Sequence, residues 1–202
     1  MFNNKSLKSW ISILFRLLLM IAATITIIKG DWLNLGLTII TFILTFLPSI
    51  LSKRLKHQYP SEFEILIVFF IYTSIFFGGV LDFYLKFWWW DLFLHTLSGV
   101  IIGVIGFSLV YSLNKEYKPL KLSAGFVAMF AFSFAIALGA LWEIFEFSMD
   151  QFFGVNMQKR GLVDTMWDLI VDSLGGGFVS MMGYFYLKNE KFKKYINLKW
   201  RS

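Results

Sequence analysis

Six long apolar runs, separated by short charged stretches, dominate the pattern of this chain: about 9–28, 32–51, 62–84, 90–112, 122–150 and 163–187. Each is long enough to cross about 30 Å of hydrocarbon at about 1.5 Å per helical residue. The pattern predicts an all-α fold, a polytopic membrane helix bundle with six transmembrane helices. The fifth run is the longest, so its helix must tilt or project past the membrane surface. The first run follows Lys5 and Lys8 in the manner of a signal peptide. It is too long for a typical apolar signal core, contains Arg16, and lacks a convincing small-residue cleavage site, so it reads as a retained helix. No internal repeat, low-complexity tract or long linker interrupts the runs. The expectation is a single integral membrane domain over residues 1–202, with a short basic cytoplasmic tail at 188–202.

Composition makes the bilayer the expected solvent. Hydrophobic residues make up 57% of the 202-residue chain and charged residues 16%, with a mean hydropathy of +0.66. Soluble domains are about 45–50% apolar and about 25% charged. The chain contains no cysteine, which excludes disulfides, thiolate metal sites and a cysteine nucleophile.

The net charge of +6 suggests a nucleic-acid partner only until the charges are located. Alternate loops divide the cations unequally. One side holds fourteen: Lys5 and Lys8; Lys53, Arg54 and Lys56; Lys115, Lys118 and Lys121; and Lys188, Lys191, Lys193, Lys194, Lys199 and Arg201. The other holds Lys29, Lys86, Lys159 and Arg160, while Arg16 lies within the first run, where it snorkels or pairs structurally. Positive residues concentrate on the cytoplasmic side, so both termini are expected there, in the cell (inner) membrane. The basic tail has the composition of an anionic-lipid contact. The expected partner is the lipid bilayer, with no role for nucleic acid. Trp88, Trp89 and Trp90 read as part of an interfacial aromatic belt. Gly99, Gly103, Gly106 and Gly175 to Gly177 read as close helix packing, and Trp142 and Trp167 as packing residues.

Eight acids lie at outer span ends: Asp82, Asp91, Glu143, Glu146, Asp150, Asp164, Asp168 and Asp172. Asp82 reads as interfacial, and Asp31 lies on the first outer loop. Asp91 and His95 are i and i+4 and therefore share a helix face. Glu143, Glu146 and Asp150 form one stripe, and Asp164, Asp168 and Asp172 another. The fourth run begins outside, the fifth ends there and the sixth begins there. The three stripes should therefore meet in an acidic pocket open to the extracytoplasmic side.

One imidazole among many carboxylates suits a divalent ion: Mg, Mn, Fe or Zn. The candidate ligands are Asp91, His95, Glu143, Glu146, Asp164, Asp168 and Asp172. Asp91 orients His95, or both are ligands. A metal-dependent hydrolase acting on lipid or lipid-linked substrates is the leading expectation, with Glu143 and Asp168 as its catalytic carboxylates. Lys159 and Arg160 would hold a lipid phosphate, plain charge balance being the other reading. Neither a Ser–His–Asp arrangement nor an HExxH element is present. The alternatives are a cation- or proton-coupled transporter and a non-catalytic membrane subunit. Transport would require polar residues continuing toward the cytoplasm or a broken helix at the midplane, and the inner halves of the last three runs are rich in Gly, Phe and Val.

The strings WWDLFLHTLSG, ALWEIFEFSMD and GLVDTMWDLIVDSLGG resemble the YjdF-like family of bacterial multi-pass inner-membrane proteins. The likeness covers about residues 88–177 and is most specific in its last element. It implies the membrane fold and points to Asp91, His95, Glu143, Glu146, Asp164, Asp168 and Asp172. It supplies no reaction.

Overall fold

A computed structural model describes residues 4–47, 50, 61–116 and 121–191, and these are helices joined by turns. Pro48, Lys53, Arg54, Lys56, Lys118 and the tail cations from Lys193 to Arg201 lie outside the described residues. The helices are α1 (Asn4–Lys29), α2 (Trp32–Leu44), α3 (Ser61–Ile71), α4 (Phe83–Lys86), α5 (Trp90–Glu116), α6 (Ala124–Phe153) and α7 (Leu162–Lys188). They form two compact units, dividing between Trp90 and Asp91.

In the first unit, α1 packs on α2 and α3 around Leu19, Tyr72 and Phe76. Asp31 starts α2 by accepting the Asn34 N–H at 3.2 Å. The third apolar run is not a uniform helix. After Ile71 it widens into π-helical turns over Tyr72–Val80, then breaks at Asp82, whose φ is +59°. The exposed Asp82 is the N-cap residue of the short α4. Trp88 and Trp89 are exposed, whereas Trp90 turns inward against Phe77 and Phe83.

Arg16 pairs structurally. Its guanidinium donates to Thr45 Oγ1 at 3.2 Å and to the Thr45 carbonyl at 3.1 Å, with its carbon 3.8 Å from the centre of the Phe46 ring. A helix end leaves carbonyls without intrahelical donors, and hydrocarbon offers no water to replace them. Buried threonines follow the same logic. Thr38 and Thr41 each donate to the carbonyl four residues back at 2.7 Å.

The second unit has three helices in alternating direction. Ser123 caps the start of α6, and Gly154 ends it at φ +66°. Asn114 ties the end of α5 to Leu122 just before α6, accepting the Leu122 N–H at 2.8 Å. Glycines let these helices approach closely, as their spacing predicts. A Cβ on Gly175 would meet the Thr96 carbonyl, and one on Gly176 would lie 2.7 Å from Ala135 Cβ. At the far end, Gly183 makes room for Phe107, which stacks on Tyr111 beside Tyr186.

Many large apolar side chains face outward, among them Ile28, Leu141, Phe147 and Phe178. Such a surface is costly in water and suits lipid. Among the described residues, Trp10–Lys29, Trp90–Asn114 and Ala124–Phe153 are long and apolar enough to cross a membrane. Trp32–Leu44 and Ile65–Val80 are shorter apolar helices. The molecule is an all-α membrane helix bundle.

Candidate metal centre

Three helices meet around Asp172, which is 1% exposed. Ser98 donates to its Oδ1 at 2.7 Å, and His95 Nδ1 lies 3.1 Å from its Oδ2. Two glycines make this placement sterically feasible. A Cβ on Gly99 would strike the Asp172 carbonyl, and one on Gly139 would lie 2.6 Å from Asp172 Oδ2. Helices α5 and α6 are therefore bare where α7 presses its deepest acid.

With Nδ1 on Asp172, His95 directs Nε2 toward Glu143 Oε1 at 3.8 Å and Asp91 Oδ1 at 4.0 Å. Both distances are too long for hydrogen bonds. Donors about 2.1 Å from one tetrahedral ion stand about 3.4 Å apart, so these atoms would have to draw together by a few tenths of an ångström to share one. One donor atom each from His95, Glu143 and Asp168 lies within 4.8 Å of the others, and all three residues are buried.

These donors are open. Both Glu143 oxygens and Asp168 Oδ1 are buried without a hydrogen-bond partner, although Thr165 and Gln158 approach Glu143. An ionised carboxylate buried without compensation costs several kcal/mol. Protonation or a bound cation would each relieve that cost. A second set, Asp91, Asp164 and Asp168, meets the same 4.8 Å limit nearer the surface.

The remaining candidates have other partners. Glu146 accepts the Trp142 Nε1–H at 2.8 Å and belongs to neither donor set. Trp142 is thus a hydrogen-bond donor as well as a packing residue. Asp150 accepts the Met157 and Gln158 N–H groups at 2.7 and 2.9 Å, closing the α6–α7 connection around its carboxylate. That turn brings Lys159 Nζ to 2.9 Å from Asp91 Oδ2 and leaves Arg160 exposed. Gln158 also donates to Thr165 Oγ1 at 2.7 Å. A cleft of about 620 Å³ leads to Glu143 between α6 and α7, walled by Ala140, Ile144, Phe147, Leu162 and Leu169.

Sequence spacing brought the acids into view but missed Ser98, Gly139, Gln158 and Thr165. Ser98 had a signal, since it follows His95 by three residues and so shares its face. Gly139 had none, because its role is to lack a side chain opposite an acid on another helix.

Residues 8–189 match the sequence profile of a family described as "Predicted membrane protein (DUF2238)", which is the YjdF-like family. An uncharacterized protein of Thermotoga maritima is 29% identical over 130 residues, or 64% of this chain and 66% of that relative. The matched stretch therefore spans just under two thirds of the relative's length. No solved structure matches the chain.

Proposed function

The chain belongs to the DUF2238 family of predicted membrane proteins, and on that premise we propose that it is a metal-dependent hydrolase of lipid or lipid-linked substrates. In this reading it crosses the cell membrane six times as one membrane domain, with both termini cytoplasmic and the acidic pocket on the extracytoplasmic side. The observation that carries the proposal is the set of buried carboxylate oxygens on Glu143 and Asp168, unpartnered beside His95 Nε2.

His95, Glu143 and Asp168 hold the ion. Asp172 takes the other imidazole nitrogen and fixes the ring, a common support for a metal-bound histidine. The ion would make a bound water acidic and polarise an ester or phosphoryl oxygen. Glu143, approached by Thr165 and Gln158, can ligate through one oxygen and accept the water's proton on the other. The apolar walls of the cleft suit an acyl or isoprenoid chain, with the polar end of the substrate at Glu143. Arg160, exposed beside Lys159 in sequence, contacts a phosphate.

The test is metal content and turnover of the full chain. Purified protein loaded in turn with Mn²⁺, Zn²⁺, Fe²⁺ and Mg²⁺ should retain bound ion after desalting. In vesicles of bacterial lipid extract it should release a water-soluble headgroup or free phosphate, detected by mass spectrometry. Glu143→Gln should abolish release, and His95→Ala should lose the ion. Folded wild-type protein that binds none of these ions overturns the metal centre. A loaded protein that leaves the lipid extract unchanged overturns the hydrolase reading.

A further inference from the structure

Asp168 belongs to two donor sets at once. Toward the interior it joins His95 and Glu143, and toward the surface it joins Asp91 and Asp164. It is 2% exposed, with Oδ1 lacking a hydrogen-bond partner. A carboxylate has two oxygens and can bridge two ions, as in sites whose metals sit about 3.5–4 Å apart. The outer set is formally a cluster of three negative charges. Lys159 already places a cation there, 2.9 Å from Asp91 Oδ2.

We propose that the centre is dinuclear, with Asp168 bridging a buried ion and an outer ion held by Asp91 and Asp164. This deepens the reading above and rests on it, because the inner site supplies the first ion. The two positions differ chemically. The inner one has an imidazole and suits Zn²⁺, Fe²⁺ or Mn²⁺. The outer one is all oxygen and suits Mg²⁺ or Mn²⁺. They differ in access as well. His95 and Glu143 are buried, whereas Asp91 and Asp164 are half-buried. The outer ion is therefore the more readily exchanged.

Lys159 acts as a tethered substitute for the outer ion. Its ammonium holds Asp91 when that ion is away and must withdraw when it arrives. The two cations compete for one carboxylate, which couples outer-site loading to the α6–α7 connection that carries Lys159. Asp150 fixes the position of that connection through the Met157 and Gln158 N–H groups.

Mn²⁺ titration of the full chain in detergent, followed by elemental analysis and electron paramagnetic resonance, tests the proposal. Wild type should bind about two Mn²⁺ per chain and give an exchange-coupled spectrum, as expected for a carboxylate-bridged pair. Asp164→Asn should bind about one, with an isolated-ion spectrum, and Asp91→Asn should repeat that result if Asp164→Asn fails to fold. Lys159→Met should tighten the outer site by up to about fivefold, the range of a partly exposed ion pair. One Mn²⁺ in wild type, unaffected by Asp164→Asn or Asp91→Asn, overturns the second site and leaves the first intact. Two uncoupled ions overturn the bridge. Unchanged outer affinity in Lys159→Met overturns the competition. No Mn²⁺ in folded wild type overturns the inner site as well.

Discussion

Asp172 on α7 lies 3.1 Å from His95 Nδ1 on α5, and this pairing determines which imidazole nitrogen faces the open carboxylates. Asp91 shares a helix face with His95, yet its nearest oxygen is 4.0 Å from Nε2. The long-range partner, seventy-seven residues away, holds the ring.

Asp172→Asn tests that role. The substitution keeps the size of the side chain but removes its charge, so the imidazole loses its anionic support. Metal affinity should fall about 10–100-fold, as for other supporting partners of a metal-bound histidine. Isothermal titration with Mn²⁺ measures it, and circular dichroism should show unchanged helix content.

Gly139→Ala tests the steric argument without touching an ionisable group. The new Cβ would stand 2.6 Å from Asp172 Oδ2, so the carboxylate must shift. Weaker metal binding and a lower melting temperature are expected, with a cost of about 1–3 kcal/mol for overpacking. Gly36→Ala is the control, since a Cβ there meets nothing within 4 Å. Equal melting temperatures for the two variants would rule out the close packing.

Arg16→Met keeps much of the side-chain length and removes the donors to Thr45. The unpaired carbonyl should cost about 1–3 kcal/mol, read as a lower melting temperature in detergent. Arg16→Lys should recover part of it, because a lysine can still donate to one acceptor. A variant as stable as wild type would show that the α2 end is satisfied without Arg16.

Topology can be tested by single-cysteine labelling against a clean background, because the chain has no cysteine. In intact cells, Arg160→Cys should react with a membrane-impermeant maleimide. Lys121→Cys should react only after permeabilisation. The reverse pattern would place the acidic pocket on the cytoplasmic side.

Much of the architecture is legible in the apolar runs because a bilayer imposes length and polarity on each crossing helix independently. The expected run at 163–187 became Leu162–Lys188, and the one at 90–112 became Trp90–Glu116. The third run was harder. Its apolar content announces a helix, but the widening at Tyr72–Val80 and the break at Asp82 leave hydropathy almost unchanged.

The candidate site divides along the same line. Spacing alone put Asp91 and His95 on one face, Glu143 and Glu146 on another, and Asp164, Asp168 and Asp172 on a third, because helical periodicity is local. Tertiary structure gave those stripes different partners. It set Asp172 behind His95 and left Glu143 and Asp168 open, whereas Glu146 pairs with Trp142 on its own helix and Asp150 with the turn that follows it. Where Asp172 can sit depends on where two other helices lack a side chain. Gly99 and Gly139 provide that space, and their effect appears only when the helices pack.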